Sequence, residues 1–494
     1  MEEVLITSGY SMTSFFTLLL LTAIQSALAL GPPKFASVEE VLTALRSDQP
    51  GRRLAAARFL SHSADHDWVH RGRDRISSGL TALLDDKEPD VRDSVLDTLG
   101  LWLAHGTLSD EARADFAKAL RPLVKRRGHP VRAGLARKLA ALDPAEKPTA
   151  VAALRDLLDH DTNEASRVNA ATGLIELSPH DKPLVIKTLR SVMTDGKSAA
   201  PRVDAAEKLV KLEPEDQPAA IKVCREIART AAGMPALSAA TALRWFKEID
   251  FEEWVILVAG GMERSDDPND HGNMASVLSI QGPKGKAAVP SLLRVMAGSS
   301  DFARVNAASA LLAIDPTREK EVLPVALAGL KDPYMRGTAA DILDKLGPAA
   351  RNTLPDLRAA LKAVAAQDDD WRASQRVSLL TAIGKVDPAG IPEAVAGLRD
   401  IFRRSNSLTQ LHAAYALGKF GPAAKEAVPD LVEYGRSRAI GISRVALAVT
   451  LGKIGSGARA AEPLLREWAK AEDEDLRKAA EEALVRIAGK PGSK

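Results

Sequence analysis

The chain has 494 residues, with Lys+Arg 67 against Asp+Glu 65 and a formal net charge of +2, so no global field draws it to nucleic acid or to an anionic membrane. Hydrophobic residues make up 46% but aromatics only 4%, which implies a core of Ala, Leu and Val packed helix on helix. Its single cysteine, Cys224, rules out an internal disulfide.

From the N-terminus, residues 1–29 read as an export signal. An apolar run from Phe15 to Ile24 is followed by Ala27-Leu28-Ala29, a small-x-small cleavage site, and then Gly31-Pro32-Pro33. Glu2 and Glu3 stand where such signals carry positive charge, and Met12 is an alternative start. An uncleaved anchor and a cytoplasmic protein are the competing readings; for the anchor, Phe15 to Leu30 includes Gln25 and Ser26 and falls short of the about 20 residues that span a bilayer. The expectation is an exported chain, periplasmic or extracellular, that meets a membrane only if this segment is retained.

His62, His66 and His70 come next, spaced i, i+4, i+8. On one continuous helix they would line a face suited to Zn²⁺ or Cu²⁺. They fall, however, where a helix is expected to end, so a solvated connection is the preferred reading and no metal is assigned. From Phe116 to Leu142 the chain is basic without an acid. Lys118, Arg121 and Lys125 share one helical stripe, and Arg126 and Arg127 follow before Gly128. Cations near a helix C-terminus are favoured by the macrodipole; the alternative is a patch for an acidic partner, with these five residues as candidate contacts.

A repeat then becomes plain. Arg167-Val168-Asn169-Ala170-Ala171-Thr172-Gly173-Leu174 returns as Arg202 to Leu209, Arg304 to Leu311, Arg336 to Leu343 and Arg444 to Leu451. Positions 0, 3, 4 and 7 of this phrase share one helix face, so each is a helix with a small-residue stripe for close packing. Pro144/Pro148, Pro179/Pro183 and Pro214/Pro218 precede successive units. The first Pro of each pair ends one helix and the second sits in the opening turn of the next. Farther on, Gly282-Pro283, Gly347-Pro348 and Gly421-Pro422 serve as openers. Asp90, Asp301, Asp332 and Asp475 are expected to cap the second helices. Cys224 lies between Ile221 and Ile227 on a buried stripe and reads as a core residue.

Two stretches interrupt the even texture. Trp245, Phe246, Phe251 and Trp254 crowd ten residues, either as core repair or as a partner hot spot, with Trp245 and Trp254 as candidate contacts. Ser265 to Asn273 resembles a calcium loop, but its twelfth position from Asp267 is Leu278 rather than Glu, so an ordinary polar loop is expected.

Alignment of the anchors gives positions 53, 92, 132, 167, 202, 236, 273, 304, 336, 376, 410, 444 and 477, with Ala236 and Asn273 fitting poorly. On these residues the chain resembles the HEAT repeat family, in particular the short, Ala-rich repeats of the phycobilisome-lyase-like type. The resemblance implies an all-α fold, an α-solenoid: a right-handed superhelix of about 13 two-helix repeats, run as 30–262 and 263–494 in one array. It also implies that the anchor arginines are structural, forming ladders with acids of adjacent repeats. Di-iron hydroxylases with such repeats place His-Glu pairs two residues past the anchor; here only His412 matches, and Ala413 follows it. No nucleophile, phosphate-loop or dinucleotide motif is present. The functional expectation is a non-catalytic scaffold without cofactor that binds another protein or peptide and not nucleic acid. A lyase- or hydroxylase-like enzyme and a membrane-tethered organiser are the alternatives.

Overall fold

The computed structural model describes residues 35–489 apart from 36, 63–66, 105–108, 127–131, 299, 365–369, 406 and 438–443. The expected signal segment, residues 1–29, lies outside the described residues, as does Arg127. The described chain is all α and 3₁₀ helix and contains no strand. It divides into two compact units between Arg264 and Ser265.

The first unit holds α1 (Val38–Leu45), α2 (Pro50–His62), α3 (Asp67–Ala82), α4 (Pro89–Ala104), α5 (Asp110–Lys125), α6 (Arg132–Leu142) and α7 (Lys147–His160). It continues through α8 (Glu164–Leu177), α9 (Lys182–Asp195), α10 (Ala199–Leu212), α11 (Gln217–Thr230), α12 (Gly233–Trp245) and α13 (Phe251–Glu263). The second unit runs from α14 (Pro268–Ser279) and α15 (Val289–Met296) through α16 (Asp301–Ile314), α17 (Glu319–Gly329), α18 (Arg336–Leu346) and α19 (Leu354–Val364). It ends with α20 (Asp370–Val386), α21 (Ile391–Arg404), α22 (Ser407–Lys419), α23 (Val428–Arg436), α24 (Arg444–Ile454), α25 (Glu462–Trp468) and α26 (Glu474–Ile487). Within each unit a helix packs chiefly on the next and the next but one, which is the contact pattern of an α-solenoid. Every one of the thirteen anchors falls in an even-numbered helix, Ala236 and Asn273 included.

The local grammar explains these boundaries. Pro144, Pro179 and Pro214 each open a one-turn 3₁₀ helix, and Pro148, Pro183 and Pro218 sit in the first turn of the α-helix that follows, where a missing N–H goes unmissed. In the second unit, Gly282, Gly347, Gly421 and Gly455 hold left-handed φ of +55° to +64° after α14, α18, α22 and α24, a conformation that costs a residue with a Cβ. One expectation about capping is corrected. Ser300 and Asp473 accept the opening amides of α16 and α26, so Asp301 and Asp475 are the first and second residues of their helices and not the caps. Asp332 accepts the Tyr334 and Met335 amides in the turn before α18, whose N-cap is Met335.

The small-residue stripe is the seam between layers. Ala170, Ala171 and Leu174, and their counterparts Ala205, Ala206 and Leu209 or Ala339, Ala340 and Leu343, are fully buried. Cys224 is buried with them, and loss of hydration pushes its thiol up to about 12, so it stays protonated and unreactive.

The anchor side chain has a role that differs from the expected ladder. In several repeats a bond runs backward, to a carbonyl at the end of the preceding odd helix: Arg132 Nε to Val124 O at 2.6 Å, Arg202 Nε to Met193 O at 3.1 Å, Arg336 Nε to Leu330 O at 3.0 Å. Gln410 does the same to Phe402 O at 2.9 Å. Such carbonyls have no intrahelical donor, so the anchor closes the odd helix. Some anchors also reach forward to an acid of the next repeat: Arg53 to Asp86 at 2.7 Å, Arg132 to Asp156 at 2.6 Å, Arg202 to Glu226 at 3.2 Å.

Candidate interaction surfaces

The basic stretch resolves into separate tasks. Arg121 Nε lies 2.5 Å from Glu146, and this pair is one rung of a series. Arg155 meets Asp181 at 2.8 Å, Arg190 meets Asp216 at 2.8 Å and Arg225 meets Glu248 at 2.6 Å. Each rung joins an odd helix to the turn that opens the next odd helix, so the spacing that defines the repeat also defines Arg121's partner. Glu146 is held below the usual carboxylate range by a Thr149 hydrogen bond and by Arg121. Arg126 forms a bidentate pair with Asp85. Arg132 is the buried clamp described above, and Arg137 lies 2.8 Å from Glu176. Lys138 is half-buried, and loss of hydration lowers its pKa. Lys118 and Lys125 remain as exposed cations. Four of the arginines in this stretch thus pair with neighbouring repeats.

The aromatic cluster also separates. Trp254 is 2% exposed, and its indole N–H donates to Thr241 Oγ1 at 3.3 Å. It packs on the same face of α13 as Val255, Val258 and Met262, all buried, which removes it from any docking surface. Phe246 is buried, while Arg244 stacks 4.7 Å from the centroid of Phe251. Trp245, the last residue of α12, is 41% exposed with Lys211 Nζ 5.3 Å from its ring centroid. Behind it the chain leaves the helix through Lys247 in the left-handed region, φ 61°.

The remaining candidates have local explanations. His62 ends α2 and His70 lies in α3, so the histidine series does not follow one helix; His66 lies outside the described residues. In the loop before α14, Ser265 donates to Asp270 at 2.7 Å, a His271 ring nitrogen stands 2.7 Å from Ser265 O, and Asp267 caps the helix. Its polar groups thus satisfy one another. His412 is exposed on α22, and its surroundings lower its pKa through lost hydration. Among the described residues no three of His, Cys, Asp and Glu stand together as a metal group.

No protein-family model and no curated protein matches the chain. Solved structures do. A structure of Kap121p bound to Pho4p matches at 13% identity and TM-score 0.38, over 92% of this chain and 57% of the other. Importin beta matches at 10% identity and TM-score 0.46, over 91% of this chain and 77% of the other. The chain thus spans a little over half the length of Kap121p. The likeness concerns the fold, stacked helical hairpins of HEAT-repeat kind, which the chain's own packing establishes.

The expectation of an exported chain is corrected at this point. The solved structures similar to it are of a karyopherin and an importin. Among the described residues no helix is long and apolar enough to cross a membrane.

Proposed function

We propose that the chain is a non-catalytic scaffold whose helical-repeat surface binds another protein or a peptide, with Trp245 as an anchor point. The observation that carries this reading is the exposed Trp245 ring beside Lys211. A large ring left in water at a repeat edge offers the apolar area from which binding hot spots are made, and the adjacent ammonium favours a partner with a carboxylate next to its apolar group. Support also comes from what the anchors and basic residues do: many of them bond within the array, to helix ends and to acids of neighbouring repeats. The repeats fit the short, Ala-rich phycobilisome-lyase-like kind of HEAT repeat through their Ala-Ala pairs, at Ala170-Ala171, Ala205-Ala206 and Ala339-Ala340. Nucleic acid is disfavoured as a partner by the near-zero net charge.

Affinity capture with wild-type chain and with Trp245→Ala tests the reading. A partner retained by the first and lost by the second, with unchanged helical content in both, is the expected result. Equal capture by both chains, or substrate turnover by the purified protein alone, counts against it.

A further inference from the structure

Except after Asn273, where it is Gly282 beyond the helix end, the ninth residue after each anchor sits at the C-terminal end of an even helix. In the last five repeats it is always a cation: Lys345, Lys385, Lys419, Lys453 and Arg486. Cations are favoured at helix C-termini, but that field acts on every even helix. In the first unit the same position reads His62, Leu101, Ala141, Glu176, Lys211 and Trp245. The dipole therefore does not account for an unbroken row confined to one part of the second unit.

Geometry brings these residues together. A Cβ placed on Gly347 would stand 3.8 Å from Lys385 O, one on Gly421 3.8 Å from Lys453 O, and one on Gly455 4.0 Å from Arg486 O. Each helix end thus abuts the cation-bearing end of the next. Lys385 Nζ donates to Lys419 O at 3.0 Å, and Lys453 Nζ lies 5.7 Å from the ring centroid of Tyr415, which is 38% exposed. Two members have internal acids: Lys419 with Asp344 at 2.7 Å and Arg486 with Glu482 at 3.6 Å. Among the described residues, no carboxylate is within ion-pair distance of Lys345, Lys385 or Lys453.

We infer that this row docks an extended acidic peptide segment of a partner protein. The inference shares the scaffold reading above but concerns the second unit, not Trp245. Packed helix layers repeat every ~8–10 Å. A polyproline II strand advances ~3.1 Å per residue with three residues per turn, so every third side chain returns to one face after ~9 Å. One acidic residue in three therefore matches one cation per repeat. A nucleic acid fits less well, because its phosphates recur every ~3.4 Å along a strand, several for each cation of the row.

The test is fluorescence anisotropy with the full chain and a labelled peptide repeating Glu-Pro-Ala once per cation, against a Lys-Pro-Ala control. Binding that weakens as salt rises is expected. Lys345→Glu with Lys453→Glu reduces it about tenfold or more, Lys345→Gln with Lys453→Gln reduces it less, and Lys222→Glu on α11 leaves it unchanged. Circular dichroism confirms folding. No binding of the acidic peptide, equal binding of both peptides, equal binding by the charge-reversed chain, or tighter binding of a single-stranded nucleic acid through the same lysines overturns the inference. Loss of Trp245-dependent capture is read separately, so either proposal can fail while the other stands.

Discussion

Replacing Arg132 by Ala tests the clamp that recurs through the array. Arg132 is 6% exposed and bonds Asp156, itself 17% exposed, at 2.6 Å, while its Nε closes Val124 O at 2.6 Å. Removing one partner of a buried pair costs about 3–5 kcal/mol, since the other charge is left without compensation. Two features shift this figure. Asp156 keeps some water and a contact of 3.3 Å to His160, which lowers the cost, whereas the orphaned Val124 carbonyl adds about 1 kcal/mol. The net expectation is about 3 kcal/mol, against under ~1 kcal/mol for Arg190→Ala, whose side chain is 46% exposed where that of Arg132 is 6%. A long repeat array need not unfold in two states, so the readout is local: hydrogen exchange of α5 to α7, with the Arg132→Ala/Asp156→Ala cycle giving a coupling of about 1–3 kcal/mol. A loss below about 1 kcal/mol, or additive single effects, would refute the clamp argument.

Other expectations follow from the same contacts. Trp254→Ala is expected to cost about 3–5 kcal/mol in chemical denaturation, against under ~1 kcal/mol for Trp245→Ala; similar losses would contradict their assigned burial. Glu164 accepts the Lys197 and Ser198 amides at 2.7 and 3.0 Å, capping α10 from the neighbouring repeat, so Glu164→Ala is expected to lower stability by about 1 kcal/mol. Those amide bonds lower its pKa, so its contribution is full above the ordinary glutamate range and is lost as pH falls through the depressed value, which acid titration of unfolding can detect. Asp341 has the opposite sign. Loss of hydration raises its carboxyl from 3.8 to about 6, so the folded chain holds this proton more tightly and stability falls as pH rises through that interval. Asp341→Asn is expected to flatten that stretch of the pH–stability profile. Gly347→Ala forces a Cβ into φ +55°, for about 1 kcal/mol in thermal melts.

The sequence carried the repeat because its markers are physical requirements. Small residues at two fixed positions permit close helix packing, and Pro or left-handed Gly ends one helix and opens the next. The thirteen anchors therefore fall in second helices even where Ala236 and Asn273 replace arginine. The anchors' backward bond stayed hidden because its acceptor is a backbone carbonyl, which has no sequence signature. Arg121 was readable in principle: Arg155, Arg190 and Arg225 repeat its position with acids in step. A local tally of cations passes over that register. Trp254 and Trp245 look alike in the string, and helix phase separates them. Trp254 shares a face with Val258 and Met262, whereas Trp245 occupies the ninth position after its anchor, where Leu101, Lys345 and Lys419 are also exposed.

Excising one whole repeat tests the architecture on which every site rests. Deleting residues 179–213 joins Ser178 to Pro214, two equivalent points in successive repeats, and removes one odd and one even helix while renewing the same interfaces. The account predicts a shortened chain that stays folded, with helical content per residue unchanged by circular dichroism and cooperative unfolding retained. Collapse of helicity well beyond the two deleted helices would show that distant parts of the first unit depend on one another, and would contradict a stack in which each hairpin is sealed by its neighbours.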